Sequence, residues 1–344
     1  MTADALVESG PVRSAAVPPE ARGLARDEVR LLVARPDGVE HAQFRDLARH
    51  LEPGDLVVVN TSATLAAAVD GRRRQGAVTV HLSTALPDGT WAVELRPGRG
   101  AEGPVRDVEP GDTVDLPGGR LHVVAPYPDP EAIGSRLWRA RVVVPGSVPA
   151  YLARHGRPIA YAYVDGYWPL SDYQTVFGRH PGSAEMPSAG RPFTDAMVTD
   201  LVTAGVAMAP VRLHAGVSSL APGDPPLPEP YRVPAETARL VEHTRAHGGR
   251  VVAVGTTVTR ALETVAERDG TVRGGEGWTD LVLGHQRPAR VVTGLVTGWH
   301  EPGASHLSLL EAVAGQDLVR SAYAAARASG YLWHELGDSA LLLP

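Results

Sequence analysis

Residues Arg250 to Glu263 decide how the rest of the chain is interpreted, and they read Arg-Val-Val-Ala-Val-Gly-Thr-Thr-Val-Thr-Arg-Ala-Leu-Glu. The β-branched run Val251 to Val254 predicts a short buried strand, which Gly255 ends. Thr256 and Thr257 carry hydroxyls suited to capping a helix, and apolar residues continue beyond them at helical spacing. The stretch therefore predicts a strand, a tight turn and a helix whose free N–H groups suit a carboxylate or a phosphate. An ordinary strand–turn–helix connection with a capped helix fits the same pattern.

The composition is that of a globular protein large enough for two domains. The chain has 344 residues, 43% of them hydrophobic, with no cysteine and a formal net charge of −6. The lack of cysteine excludes disulfides and thiolate metal sites. All 33 basic residues are arginine, so a Schiff-base lysine and a Walker-type phosphate site are excluded as well. No secretory signal and no apolar run near the ~20 residues of a membrane span is evident, so we expect a cytoplasmic protein without a membrane partner.

Turn residues and short alternating segments between residues 67 and 149 predict a small β-barrel. Strands alternate with helices on either side of it, which predicts one discontinuous α/β domain with a mostly parallel sheet, formed by residues 1–66 and 150–344. Gly98 to Gly103 matches G-x-G-x-x-G, but prolines follow it instead of a helix, so no dinucleotide site is predicted. The run Arg72 to Arg74 is either a solvated turn or the candidate RNA-facing segment of this acidic chain.

Polar residues follow three predicted strands, and they are His214, the pair Thr256-Thr257, and His300. The carboxyl ends of parallel strands share one edge of a sheet, so two imidazoles and a helix N-terminus are expected in one crevice. Histidine carries protons near neutral pH, although a structural role for each imidazole is the alternative. The spacing of Arg260 and Glu263 favours a surface ion pair over a site role. No metal-ligand spacing is present, so no metal is expected.

An ordered series of motifs resembles the S-adenosylmethionine:tRNA ribosyltransferase-isomerase family of queuosine biosynthesis. Val254 to Glu263 is similar to the motif V-G-T-T-S-V-R-x-L-E of that family. The specificity lies in the ordered series of motifs, since no single motif identifies the family alone. The remaining matches are Pro53 to Thr61, Tyr173 to Phe177, Pro187 to Gly190, Leu213 to Gly216, Leu295 to Pro302 and Gly337-Asp338. On pattern alone, Asn60 fits an amide that caps a turn.

The resemblance implies an α/β/α sandwich with an inserted six-stranded β-barrel. It also implies that the ribosyl part of S-adenosylmethionine, a co-substrate, moves to a 7-aminomethyl-7-deazaguanine base in tRNA. Epoxyqueuosine would form, and adenine and methionine would leave. A monomer that needs no metal is expected.

The resemblance also implies site residues. His214 and His300 would be the base and the acid, in an order that the sequence leaves open. Thr256, Thr257 and Arg260 would hold the methionine carboxylate or a phosphate. The implied substrate-binding set is Asn60, Thr61, Pro187, Ser188, Ala189, Gly190, Gly216, Gly255, Thr256, Thr257, Arg260, Glu263 and Asp338.

Departures from the family pattern concentrate in polar loops. Pro192 replaces a loop histidine, Pro228-Glu229-Pro230 stands where the family has H-S-E, and Glu335 to Ser339 stands where it has S-Y-G-D-A. We therefore hypothesise a divergent member whose acceptor need not be tRNA. Three interpretations stay open, and they are the tRNA ribosyltransferase-isomerase itself, a paralogue that uses S-adenosylmethionine with a small-molecule acceptor, and a non-catalytic nucleoside- or RNA-binding scaffold. A basic barrel surface favours the tRNA enzyme, and a small closed pocket beside His214 favours the paralogue.

Overall fold

The structure is a computed structural model that describes residues 12–98, 103–218, 226–301 and 305–344. Most of the G-x-G-x-x-G segment lies outside the described residues. The largest sheet contains β2 (Arg30–Arg35), β3 (Gly38–Gln43), β4 (Leu56–Asn60), β13 (Ala207–Leu213), β14 (Glu229–Val233), β15 (Val251–Val254), β16 (Gly275–Thr279), β17 (Gly294–Gly298) and β19 (Ser339–Leu342).

The other strands form a barrel and two short pairs. The barrel strands are β6 (Ala68–Arg73), β7 (Gly76–Ala85), β8 (Trp91–Arg96), β9 (Thr113–Leu116), β10 (Gly119–Tyr127) and β11 (Leu137–Val143). The short pairs are β1 (Arg13–Ser14) with β18 (Leu332–Trp333), and β5 (Ser62–Thr64) with β12 (His180–Ser183).

The helices of the described residues lie mainly in the second half of the chain. The α-helices are α1 (Val148–His155), α2 (Asp195–Thr203), α3 (Ala235–Ala246), α4 (Thr256–Thr264), α5 (Ser305–Ala314) and α6 (Gln316–Ala328). Short 3₁₀ segments occur at Pro19–Arg22, Arg26–Glu28, Phe44–His50, Leu170–Tyr173 and Ser188–Gly190.

The large sheet has the strand order β16-β14-β13-β4-β15-β17-β19-β2-β3. Its centre, from β13 to β17, is parallel. Both ends contain antiparallel pairs, so the prediction of a mostly parallel sheet is wrong there. One reason is local, because Pro36 and Asp37 join β2 to β3 and a two-residue connection fits only antiparallel neighbours.

Helices cover both faces of this sheet, which confirms the predicted α/β/α class. Side chains alternate along β4, so Leu56 and Val58 pack into a core with helices α3 to α6. Val57 and Val59 point to the opposite face, where α2 and the Phe44–His50 segment close the second core. Every residue of β4 is buried, as expected for a central strand covered on both sides.

The inserted six-stranded barrel is closed in the order β10-β11-β8-β7-β6-β9, as expected. Its strands lie within the proposed 67–149 domain. Gly71 is required at the β6–β9 contact, since an added Cβ would come within 2.7 Å of Val114 Cγ1. The interpretation of Arg72 to Arg74 as a solvated or RNA-facing run is wrong for Arg73, which is buried and forms ion pairs with Asp107 and Asp112.

Candidate active site

A cavity of about 1250 Å³ lies between the carboxyl edge of the sheet and the barrel. The barrel contributes His81 and Arg96 to its wall, α4 contributes Thr256, and the segment after β17 contributes His300. Of the predicted site residues, those that line the cavity are Pro187, Ser188, Ala189, Gly216, Gly255, Thr256, Thr257, Arg260 and His300. The remaining ones lie behind the wall, and they are His214, Asn60, Thr61, Gly190, Glu263 and Asp338.

The N-terminus of α4 faces this cavity through Thr256 and Thr257. The sequence predicted that a threonine hydroxyl would cap α4, but this helix has no side-chain cap bond in the described part of the chain. Gly255 occupies the cap position instead, with a φ of +92°. Thr257 Oγ1 instead accepts a hydrogen bond from Asn60 Nδ2 at 3.2 Å. An added Cβ on Gly255 would lie 3.2 Å from Ala189 Cβ, so glycine suits both the conformation and the space. The uncapped first turn offers N–H groups to an anion.

Arg260 is buried, so the prediction of a surface ion pair with Glu263 is wrong. Its Nη1 donates to the Glu229 carboxylate, and its Nη2 donates to the carbonyls of Leu227 and Thr279 at 3.1 Å. Its Nε donates to the Leu281 carbonyl at 3.2 Å. The guanidinium therefore ties α4 to two neighbouring segments, 227–229 and 279–281. It holds the cavity wall in place, and each of its three nitrogens donates to a protein group.

Glu229 was not predicted as a site residue. Its Oε1 accepts a hydrogen bond from the Gly216 N–H at 2.8 Å, so one carboxylate joins the loop after β13 to α4. Burial raises the pKa of Glu229, although the charge of Arg260 acts in the opposite direction. Its position within a proline-rich stretch gave no sign of this role.

Glu263 has a structural environment away from the cavity. Its carboxylate accepts hydrogen bonds from the backbone N–H groups of Arg290, Val291 and Val292 at 2.9, 2.8 and 3.1 Å. Arg287 forms an ion pair with it at 3.3 Å. The carboxylate therefore organises the approach to β17, which carries His300 at its end.

His300 and His306 form a pair at the cavity wall. The two imidazoles stack with their centroids 4.5 Å apart. His300 Nε2 lies 3.2 Å from Thr297 Oγ1, and the Tyr323 hydroxyl contacts the His300 N–H at 3.2 Å. Burial lowers the pKa of both imidazoles, with the neighbouring His306 adding to the effect on His300. A neutral imidazole that faces the cavity can accept a proton.

His214 lies behind the wall formed by Ala215 and Gly216. Its Nδ1 contacts Ser62 Oγ at 2.7 Å, and Ser62 Oγ contacts Ser183 Oγ at 2.6 Å. The ring fills the space above Gly182, where an added Cβ would come within 2.5 Å. Burial lowers the pKa of His214 to about 4. This environment is that of a structural histidine between β5, β12 and the loop after β13.

Asn60 links two of the parallel strands. Its Oδ1 accepts hydrogen bonds from the N–H groups of Ser62 and Leu213 at 3.0 and 3.1 Å. Its Nδ2 donates to the Leu213 carbonyl at 2.8 Å as well as to Thr257. The amide therefore positions Thr257 from behind, and Thr61 Oγ1 likewise donates to the Val211 carbonyl at 2.9 Å.

Asp338 and Gly190 also support the site from behind its wall. Asp338 Oδ1 accepts from the Arg30 N–H at 3.0 Å, and its Oδ2 accepts from the Leu332 N–H at 2.8 Å. The Gly190 N–H donates to the Pro187 carbonyl at 3.0 Å, which closes the tight loop whose Ala189 meets Gly255. Both residues shape segments that carry cavity residues.

A group that we term the aromatic–carboxyl cluster lines another part of the cavity, and it comprises Tyr161, Tyr163, His334, Glu185 and Glu335. The Tyr161 hydroxyl donates to Glu185 and the Tyr163 hydroxyl donates to Glu335. This group was not predicted from the sequence. Tyr163 and Glu335 are 172 positions apart, so no local spacing could have indicated their contact.

The barrel side of the cavity is basic. Buried Glu94 accepts hydrogen bonds from Arg96 Nε and Arg136 Nη1, each at 2.9 Å. Burial alone would raise the pKa of Glu94, but the hydrogen bond with His81 and the charges of Arg136 and Arg96 lower it to about 2. One carboxylate thus faces two guanidinium groups, and Arg106 lines the same wall. The wall keeps a positive charge.

The described ranges contain no group of three or more His, Asp or Glu side chains arranged to hold a metal ion. None of their helices has the length and apolar character needed to cross a bilayer.

Comparisons with known proteins agree on one family. The family model described as queuosine biosynthesis protein matches residues 11–342. The S-adenosylmethionine:tRNA ribosyltransferase-isomerases of Heliobacterium modesticaldum and Acidiphilium cryptum are 35% and 36% identical, over 92% and 96% of this chain and 94% and 96% of theirs. The enzyme of that name from Thermus thermophilus is 36% identical over 92% of this chain and 93% of its own.

A solved structure supports the same relationship. The crystal structure of S-adenosylmethionine tRNA ribosyltransferase from Thermotoga maritima is 28% identical, with a TM-score of 0.52 and a coverage of 96% of each chain. The match therefore extends over both the sandwich and the barrel. The chain belongs to the family of queuosine biosynthesis proteins.

Proposed function

We propose that this protein is an S-adenosylmethionine:tRNA ribosyltransferase-isomerase that modifies 7-aminomethyl-7-deazaguanine in tRNA. The observation that carries the proposal is one cavity that has an uncapped helix N-terminus, a neutral imidazole and a basic barrel wall around it. The relatives' names supply the donor and the macromolecule.

In the proposed donor site, the methionine carboxylate of S-adenosylmethionine binds the N–H groups of Thr256 and Thr257. Negative charge is favoured at a helix N-terminus, and Asn60 holds Thr257 in place from behind. We assign Arg260 to positioning this turn, because each of its three side-chain nitrogens already donates to a protein acceptor. Pro187, Ser188 and Ala189 form the adjoining wall of the nucleoside pocket.

His300 is the proposed general base. The sulfonium acidifies the C5′ hydrogens of the donor, and removal of one starts the elimination of adenine. Thr297 Oγ1 donates to the Gly298 carbonyl at 3.2 Å and lies 3.2 Å from His300 Nε2. We therefore assign the imidazole proton to Nε2 and the basic lone pair to Nδ1. His214 is the alternative base, but its nitrogen is bonded to Ser62 behind the wall. We assign His214 a positioning role.

The tRNA strand is proposed to lie along the barrel wall formed by Arg96, Arg106 and Arg136. Arginines that contact phosphates supply sequence-independent affinity, and this wall provides them despite the acidic net charge. A small closed pocket beside His214 would favour a small-molecule acceptor. The cavity is instead large, and His214 does not line it. The active species is proposed to be a monomer, since one chain provides all these walls.

The test is the release of adenine and methionine from S-adenosylmethionine by the purified protein. We expect release only with tRNA that carries the aminomethyl base, and none with the same tRNA that carries guanine. Release that is equal with both tRNAs, or with neither present, would contradict the proposal. Light scattering of the purified protein checks the monomer.

A further inference from the structure

The two carboxyls of the aromatic–carboxyl cluster have an unusual set of partners. Glu335 accepts a hydrogen bond from the Tyr163 hydroxyl. Glu185 accepts from the Tyr161 hydroxyl and the Ser218 hydroxyl, and from the Ser218 N–H at 2.9 Å. In the described part of the chain, neither carboxyl forms an ion pair with an arginine. Burial raises the pKa of both groups. Two buried carboxyls that lack an arginine partner are expected to favour a ligand that brings hydrogen-bond donors and positive charge.

Aromatic rings fix the positions of these carboxyls. The rings of Tyr161 and Tyr163 stack with centroids 6.0 Å apart, and Tyr163 stacks on the His334 imidazole at 4.3 Å. His334 Nε2 lies 3.4 Å from Glu301 Oε1. The stack therefore joins the connector after the barrel, which carries both tyrosines, to the C-terminal segment, which carries His334. Because each phenol is held by its neighbouring ring, the donors that it offers to the carboxyls have a defined direction.

The backbone at the cluster is also specialised. His334 has a φ of +69°. Within the described ranges, it is the single residue other than glycine whose φ is positive. Such a conformation is strained for histidine and is maintained only by its surroundings. Glu335 stands where the family motif S-Y-G-D-A has serine, so this carboxyl is a feature of this chain's own sequence.

We propose that Glu335 and Glu185 bind the amino group of the acceptor base, with Tyr163 and Tyr161 holding the carboxyls in position. The inference rests on the proposed function, and it assigns the acceptor amine to this end of the cavity and the donor carboxylate to the N-terminus of α4. It defines Glu335 and Glu185 as specificity-determining residues and the two tyrosines as positioning residues. An amine donates to carboxylate oxygens and offsets their charge, whereas a nitrile of similar size does neither.

The test measures binding of two free bases by calorimetry with S-adenosylhomocysteine present, so that no reaction occurs. We expect the wild-type protein to bind 7-aminomethyl-7-deazaguanine about tenfold or more tightly than 7-cyano-7-deazaguanine, the range of a hydrogen bond to a charged group. The variants Glu335→Gln and Tyr163→Phe are expected to lose most of this preference. Glu276→Gln, which removes a charge on exposed β16 far along the sheet, is the matched control and should keep it.

Each contrary result has a defined meaning. Equal affinities for the two bases in the wild type, no measurable binding of the amine, or an unchanged preference in a folded Glu335→Gln protein would overturn the proposal. So would a Glu335→Gln variant that loses affinity for S-adenosylmethionine but not for S-adenosylhomocysteine, because the carboxyls would then serve the sulfonium. Circular dichroism checks that the variants fold.

The two proposals fail separately. A lost amine preference in Glu335→Gln, together with a wild-type protein that transfers no ribosyl group to tRNA, supports this site and contradicts the proposed reaction. Normal transfer by Glu335→Gln with an unchanged KM for the tRNA contradicts this site and leaves the reaction standing.

Discussion

The imidazoles of His300 and His306 lie almost parallel, with centroids 4.5 Å apart and an interplanar angle of 8°. Burial disfavours the charged form of both rings, and a proton on one ring disfavours a proton on the other. The pKa of His306 is lowered to about 4, and that of His300 lies well below its ordinary value. The pair is therefore neutral at neutral pH, which gives His300 the form that a general base requires.

The first prediction concerns stability against pH. Below an unfolded pKa of about 6.5, these histidines take up protons in the unfolded chain but stay neutral in the folded protein. The free energy of unfolding should therefore fall as the pH is lowered from about 6.5 to about 4, the pKa of His306 and His214. Urea denaturation at a series of pH values measures it. His306→Gln should show a shallower fall, and an equal slope in wild type and variant would contradict this account.

The second prediction separates the roles of His214 and His300. His300→Gln should lower kcat by about 10²–10⁴ because it removes a general base, with little change in donor affinity. His214→Gln should leave kcat close to the wild-type value and lower the free energy of unfolding by about 1–3 kcal/mol, since it disturbs the buried contact with Ser62. Steady-state kinetics and denaturation of both variants test this. A larger loss of kcat in His214→Gln would reverse the assignment.

The third prediction concerns Glu263, whose carboxylate receives the N–H groups of Arg290, Val291 and Val292. Glu263→Gln should destabilise the fold by about 3 kcal/mol, because a buried charge-assisted network is broken. The variant that remains folded should bind S-adenosylmethionine with near wild-type affinity. Glu267→Gln, an exposed glutamate next to the same helix, serves as the control. A selective loss of donor binding would return Glu263 to the substrate site.

The fourth prediction concerns the barrel wall. Arg106 is exposed and lines the cavity, so Arg106→Gln should weaken tRNA binding and reduce the slope of log affinity against log salt by about 1. Arg239 on α3 is exposed and does not line the cavity, and Arg239→Gln is the matched control. Filter binding over a range of salt concentrations provides both slopes. Identical slopes for the two variants would show that the tRNA does not follow this wall.

The sequence was sufficient for the strands, the helices and the inserted barrel, because these depend on local patterns, but not for the antiparallel pairs at both ends of the large sheet. The run Val251 to Val254 and the turn at Gly255 predicted a strand and a helix that are present. The short alternating segments predicted the barrel, and the shared strand edge correctly brought Thr256 and His300 to one cavity.

The sequence was less informative about individual side chains. The resemblance placed Asn60 and Glu263 in the substrate site, but most of their partners are backbone groups that only the folded chain supplies. Tyr163 and Glu335 were missed for the opposite reason, since residues this far apart share no periodic signal. His214 was placed at the correct edge but points behind the wall, and orientation at a strand end depends on the packing of β12 above it.

The measurement that tests the central claim most directly follows the ribose carbons of the donor. The purified protein is incubated with S-adenosylmethionine labelled with ¹³C in the ribose and with tRNA that carries 7-aminomethyl-7-deazaguanine. The tRNA is then digested to nucleosides and analysed by mass spectrometry. Our account predicts that the label appears in the modified base in step with the release of adenine and methionine. Release of adenine with no ¹³C in the tRNA would show that the donor is consumed without ribosyl transfer, and it would contradict the account.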